Sequence, residues 1–232
     1  MKKYISIIIA AALATILVSC EKQSAGVTRI TYYPTLTILG DNPYMVAMGA
    51  TYADPGYEAE MNGEDVSDQV NVDLSGVDMT TPGIYSVNYS IVNSDGITAV
   101  SSRNVWVINT TGGIPNVYNS NCRNGTGSRN YNVPFVVEAT EYPGVYLVED
   151  LIGGFYCKGV YPGYEPSYDF HCETYLQIKA DNSLAILQTG YWYGDDYGWF
   201  DYSNFTGAYD PVTGKFSWYI DGIYVTLTPY TL

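Results

Sequence analysis

The sequence predicts an all-β protein of two domains: a Greek-key sandwich followed by a second antiparallel β domain, either barrel or sandwich. Three observations carry this. No stretch beyond residue 20 sustains the spacing of an amphipathic helix. Short runs alternate apolar and polar residues, and Gly, Pro, Asn and Asp break them about every ten residues. Aromatic residues make up 15% of the chain, with 25 tyrosines among them, and such side chains suit pleated, half-buried surfaces.

The N-terminus stands apart from this pattern. Lys2 and Lys3 precede an apolar run over residues 5–18, broken only by Ser6 and Thr15. A spanning helix needs about 20 apolar residues, so the run reads instead as a secretory signal peptide. Residues 1–19 are assigned to it. The run ends in Leu17-Val18-Ser19-Cys20, which resembles the bacterial lipobox. That resemblance implies acylation of the Cys20 thiol, so that the membrane is a partner through a lipid anchor. Residues 20–29 are polar and small and read as the tether.

Removing Lys2 and Lys3 leaves eight basic residues against 24 acidic ones. A chain this acidic excludes nucleic acid as a partner, because phosphate contacts need basic patches.

The first domain is placed at 30–108. Tyr85, Val87, Tyr89 and Ile91 alternate with Ser86, Asn88 and Ser90, which gives one apolar and one wet face. Asn93-Ser94-Asp95-Gly96 reads as a hairpin turn, and the return strand runs through Arg103, Val105 and Val107. Earlier strands are expected at 35–39, 44–48, 57–60 and 71–74. Tyr52-Ala53-Asp54-Pro55-Gly56, then Gly83-Ile84-Tyr85-Ser86-Val87-Asn88-Tyr89, then Asp95-Gly96, then Arg103-Asn104-Val105-Trp106-Val107 follow one motif order. Together they resemble the immunoglobulin-like domain of Cry-type crystal proteins and of many bacterial surface proteins. The resemblance implies a spacer, adhesion or presentation module. Where that family commonly carries Asn after the Asp-Gly turn, this chain has Ile97. Tyr85 sits where a tyrosine corner is expected.

Residues 109–115, Asn-Thr-Thr-Gly-Gly-Ile-Pro, read as a linker. The second domain is placed at 116–232. It holds 17 of the tyrosines, three of the four tryptophans and all six phenylalanines. Strands are expected at 135–139, 144–148, 175–179, 184–188, 215–220 and 223–228. Residues 144–156 and Tyr209-Asp210-Pro211-Val212-Thr213-Gly214 resemble the C-terminal domain of Bacteroidetes outer-membrane lipoproteins. Such proteins accompany glycan-uptake systems. The resemblance implies a surface accessory protein on the outer membrane, at the cell surface rather than the periplasmic face, with a polysaccharide or an outer-membrane protein as partner.

No constellation points to catalysis. The single histidine, His171, has no nucleophile elbow upstream and reads as an edge-strand residue beside a disulfide. With Cys172 adjacent, their side chains diverge on a strand, so no metal site is assigned. Glu149/Asp150 and Asp195/Asp196 are adjacent pairs that diverge likewise. No cofactor fingerprint occurs. Cys157 and Cys172 lie in one Gly/Pro/Tyr-rich segment and are the expected disulfide; buried thiols are the alternative.

Residues 191–202 are the candidate binding stretch. Seven of twelve are aromatic, three are Asp and two are Gly. Flat rings stack on sugar C–H faces, and carboxylates accept from hydroxyls. Tyr191, Trp192, Tyr193, Tyr197 and Trp199 are the expected contacts, with Trp192 and Trp199 as platforms. The competing reading is a hairpin whose alternate rings fill the core. The sequence thus points to a non-catalytic glycan-binding or glycan-uptake accessory protein, or alternatively to a structural or adhesion spacer with a protein partner.

Overall fold

The computed structural model describes residues 30–192 and 201–232. The signal peptide, Cys20 and its tether lie outside these residues, as do Tyr193, Tyr197 and Trp199.

The N-terminal strands are β1 (Thr35–Ile38), β2 (Tyr44–Ala47), β3 (Tyr57–Met61), β4 (Glu64–Asp65), β5 (Asn71–Asp73), β6 (Gly83–Val92) and β7 (Thr98–Ile108). They form two sheets, β1-β3-β4 and β2-β7-β6-β5. The alternation in β6 buries Val87, Tyr89 and Ile91, while Asn88 is exposed and Ser90 half-buried between them. Val87 and Tyr89 meet Val46, Val105 and Val107 in the core between the sheets. The β6–β7 turn is fastened by Asn93, whose Oδ1 accepts from the N–H of Asp95 and of Ile97. Tyr85 makes the expected corner, its hydroxyl donating to the Thr81 carbonyl at 2.8 Å.

Arg103 explains why the 52–56 motif and the β7 motif occur together. Its side chain is fully buried. Nη1 donates to the Asp41 carbonyl, and Nη2 to those of Leu39 and Gly56. Asp54 lies 3.5 Å away and accepts from Tyr89 at 2.8 Å. A buried guanidinium is tolerable only when paired and hydrogen-bonded. Here it ties the chain before β2 and the turn before β3 onto β7.

The C-terminal strands are β8 (Asn116–Asn124), β9 (Asn130–Ala139), β10 (Val145–Val148), β11 (Thr174–Ile178), β12 (Leu184–Thr189), β13 (Thr206–Asp210), β14 (Lys215–Ile220) and β15 (Ile223–Pro229). They form one antiparallel sheet in the order β12-β11-β10-β9-β8-β15-β14-β13. A bridge between Ser183 and Ala208, with Tyr209 N–H donating to the Asn182 carbonyl, brings the two end strands together. The sheet is therefore a nearly closed up-and-down barrel. Its interior holds Tyr118, Phe135, Val137, Leu176, Phe216, Trp218, Val225 and Leu227.

The segment between the two sets of strands is held in place. Asn109 N–H donates to Asn116 Oδ1, and Asn116 Nδ2 returns a bond to the Asn109 carbonyl. Trp106 of β7 packs on Tyr230 just after β15, ring centroids 5.0 Å apart.

Candidate functional site

The connection from β10 to β11 builds the site, and buried Asp150 organises that connection. Its Oδ1 accepts from the N–H groups of Ile152 and Cys172, and its Oδ2 from that of Gly154 at 2.7 Å. Burial pushes its carboxyl up to about 6, against the lowering effect of those donors. The chain then enters the barrel mouth. Trp218 Nε1 donates to the Leu151 carbonyl at 2.7 Å, and Ser120 to that of Gly153 at 2.8 Å. Gly153 has φ +68°, and a Cβ there would stand 2.6 Å from Val225 Cγ1. Only glycine fits.

From this plug the chain leaves through a π-helical turn, Phe155–Val160. A run of rings follows. Trp192 stacks on Tyr156 at 6.1 Å and 24°, and Tyr156 on Tyr161 at 6.1 Å and 12°. Tyr161 stacks on Phe170 at 5.1 Å and contacts Tyr164 at 5.3 Å, with Tyr168 beyond at 6.2 Å. The run is graded: Trp192 is 1% exposed, Tyr161 36%, Tyr168 44% and Tyr164 51%. It forms a terrace rooted in the core and open to solvent at its far end. Glu165 and Asp169 stand on the same loop. His171 Nδ1 contacts the Glu165 carboxylate and lies 3.6 Å from Asp169. These three groups offer ligand atoms within 4.8 Å of one another. Two of them are exposed carboxylates, suited to accept from hydroxyl groups.

Several expectations need correcting. Trp192 is no exposed platform: it lies in the barrel core, and its Nε1 donates to the Tyr202 hydroxyl at 2.8 Å. Tyr191 is 66% exposed. Cys157 and Cys172 are not bridged but are buried thiols. Cys157 Sγ faces Asp150 Oδ2 at 3.6 Å, whereas Cys172 Sγ faces Thr174 and Tyr202, each at 3.8 Å. Asp150 sets this shape by taking both the Cys157 thiol and the Cys172 N–H. His171 lies on the loop rather than on an edge strand. The terrace itself went unnoticed in the sequence. Its signal was present, since residues 155–170 mix six aromatics with Gly, Pro, Glu165 and Asp169.

Comparison with known proteins bears on the whole chain. A family model described as a C-terminal domain matches residues 107–229, more than half of the chain. The chain belongs to that family. A second model, "Bacterial surface protein, Ig-like domain", matches residues 36–107. The crystal structure of the lipoprotein BT2262 from Bacteroides thetaiotaomicron is similar at 26% identity and a TM-score of 0.56, covering 85% of this chain and 100% of that one. A Clostridium perfringens ZmpB structure, containing a carbohydrate-binding module in complex with GlcNAc, matches at 13% identity and a TM-score of 0.28. It covers 84% of this chain and 43% of that one, and so weak a likeness carries no argument. No curated protein matches the chain. These matched descriptions are of a lipoprotein, a bacterial surface Ig-like domain and a C-terminal domain.

Proposed function

We propose that this chain is a non-catalytic accessory lipoprotein of the outer membrane, anchored through Cys20 at the cell surface, that binds glycan on the tyrosine terrace. The observation carrying the reading is the terrace, in which Tyr161, Tyr164 and Tyr168 present partly exposed rings beside Glu165 and Asp169. Rings of this kind take the apolar C–H faces of sugars, and carboxylates take their hydroxyls. Each ring contributes about 0.5–1.5 kcal/mol beyond area burial, so single sugars bind weakly and polymers gain through multivalent display. Similarity to a Bacteroides lipoprotein supports the envelope setting.

The test is affinity electrophoresis of the full chain in gels holding soluble neutral polysaccharides. Wild type is expected to be retarded by at least one. The Tyr161→Ala/Tyr164→Ala double variant should run free while melting near wild type. Wild-type retardation in that variant would overturn the site.

A second reading, a structural or adhesion spacer with a protein partner, draws on the fastened segment between the two sets of strands. It expects no polysaccharide retardation and cross-linking of the surface-displayed chain to an outer-membrane protein.

A further inference from the structure

The outer wall of the barrel carries a second face that the terrace does not use. Strand register sets outward side chains of five neighbouring strands in rows. One row reads Asn130, Arg123, Tyr224, Tyr219 and Thr206 across β9, β8, β15, β14 and β13. The next reads Asn132, Asn121, Thr226, Ser217 and Ala208. Neither row holds a carboxylate, in a chain with a formal net charge of −14. Of the acids on these strands and turns, Asp210 ends β13 and Asp221 lies in the turn between β14 and β15. Between the rows runs a groove of about 390 Å³ with Asn121, Arg123, Thr206, Ser217, Tyr219 and Tyr224 among its walls.

The side chains are organised. Arg123 sits over the Tyr224 ring, Cζ 4.3 Å from its centroid. Tyr224 in turn meets Tyr219 at 4.9 Å. Asn121 Nδ2 donates to Oδ1 of Asn130 at 2.8 Å and of Asn132 at 3.1 Å. With those oxygens engaged, the ladder offers a ligand the NH2 groups of Asn130 and Asn132 as donors and Asn121 Oδ1 as an acceptor. A guanidinium held over a ring by its cation–π contact keeps its N–H donors for a carboxylate.

We infer that this outer wall binds an acidic sugar, its ring on Tyr219 and its carboxylate on Arg123, which Tyr224 supports, with the Asn ladder and Ser217 taking its hydroxyls. The inference stands independently of the terrace. The overall negative charge of the chain opposes approach of a polyanion, but that repulsion is screened beyond about 8 Å at 0.15 M salt. The contact with Arg123 is shorter than that and survives.

The experiment compares one polymer backbone in two charge states. The full chain is run at 0.15 M salt in gels containing polygalacturonate or its fully methyl-esterified form, with a sialylated oligosaccharide titrated separately. Retardation by polygalacturonate, or saturable binding of the sialoside, is expected, at least tenfold stronger than for the ester. Arg123→Gln keeps a flat amide and removes the charge, so it should abolish that preference. Tyr161→Ala/Tyr164→Ala should leave it intact, which separates this site from the terrace. Equal binding of ester and acid, no binding of either acidic probe, or a preference unchanged in Arg123→Gln would each overturn the inference. Tyr219→Ala supplies a second variant should Arg123→Gln melt early: in a folded Tyr219→Ala chain, acid binding as strong as in wild type overturns it too.

Discussion

Two charged side chains with no exposure carry much of the fold, and their chemistry sets what happens when either is changed. Arg103 gives donors to three backbone carbonyls and faces Asp54, so Arg103→Met removes the guanidinium from all four, although the Gly56 carbonyl keeps the Leu39 N–H and Asp54 keeps Tyr89. Breaking a buried pair by removing one member costs about 3–5 kcal/mol, and a loss of that order is expected in urea denaturation. Asp150 behaves differently because its pKa is raised from 3.8 to about 6 in the folded state. The folded protein then binds this proton more tightly than the unfolded chain. Its stabilising contribution is complete below pH 3.8 and is lost as pH rises through 6. The lost amount is on the order of 3 kcal/mol, at about 1.4 kcal/mol per pKa unit. Asp65, Asp73, Asp78 and Asp181 are shifted down by their Ser or Thr hydrogen bonds, so their contributions vanish at lower pH. Asp150→Asn should be less stable throughout, because its NH2 faces N–H donors. Between pH 4 and pH 7 its melting temperature should nevertheless fall by several degrees less than that of wild type, and parallel pH profiles would refute the assignment.

At the scale of elements, the plug is the feature most sensitive to a single methyl group. Gly153→Ala places a Cβ 2.6 Å from Val225 and 2.8 Å from Ser120 Oγ, at φ +68°. Overpacking costs about 1–3 kcal/mol, and left-handed backbone adds about 1–2. Gly163→Ala is the control, since φ is +86° there but nothing stands within 4 Å. The first variant should melt well below the second, with amide protection lost over residues 151–155. Strands whose faces differ in polarity were legible in the sequence, β6 and β14 above all. β8 was not, because Asn119, Asn121 and Asn124 gave it the composition of a turn while Tyr118 and Cys122 supplied its buried face. The terrace was missed for a related reason. Ring density singled out 191–202, yet burial is set by what packs against each ring, and density says nothing about that. Trp192 is drawn inward by Tyr202 and Tyr156 while its neighbour Tyr191 stays exposed, and further partly exposed rings, Tyr161, Tyr164 and Tyr168, fall on the neighbouring loop.

For the whole molecule, the 109–115 segment decides whether the terrace is carried on a stiff arm or a loose one. Its composition reads as a hinge, with two glycines and a proline. The structure closes it instead, through the reciprocal bonds of Asn109 and Asn116 and the contact of Trp106 with Tyr230. Neither contact belongs to the core of either β unit, so removing one should free the units without unfolding them. An aromatic pair is worth about 0.5–1.5 kcal/mol beyond its area, enough to shift a junction of this size. Trp106→Ala is therefore expected to raise the radius of gyration in small-angle scattering and to separate one melting transition into two. Glycan retardation on the terrace should be unchanged in soluble gels, because the rings sit on the far loop of the barrel. A Trp106→Ala chain with the scattering profile and single transition of wild type would show that the asparagine bonds, with the packing of β6 and β7 on β8 and β9, hold the junction. In that case Asn109→Ala on the same background should open it.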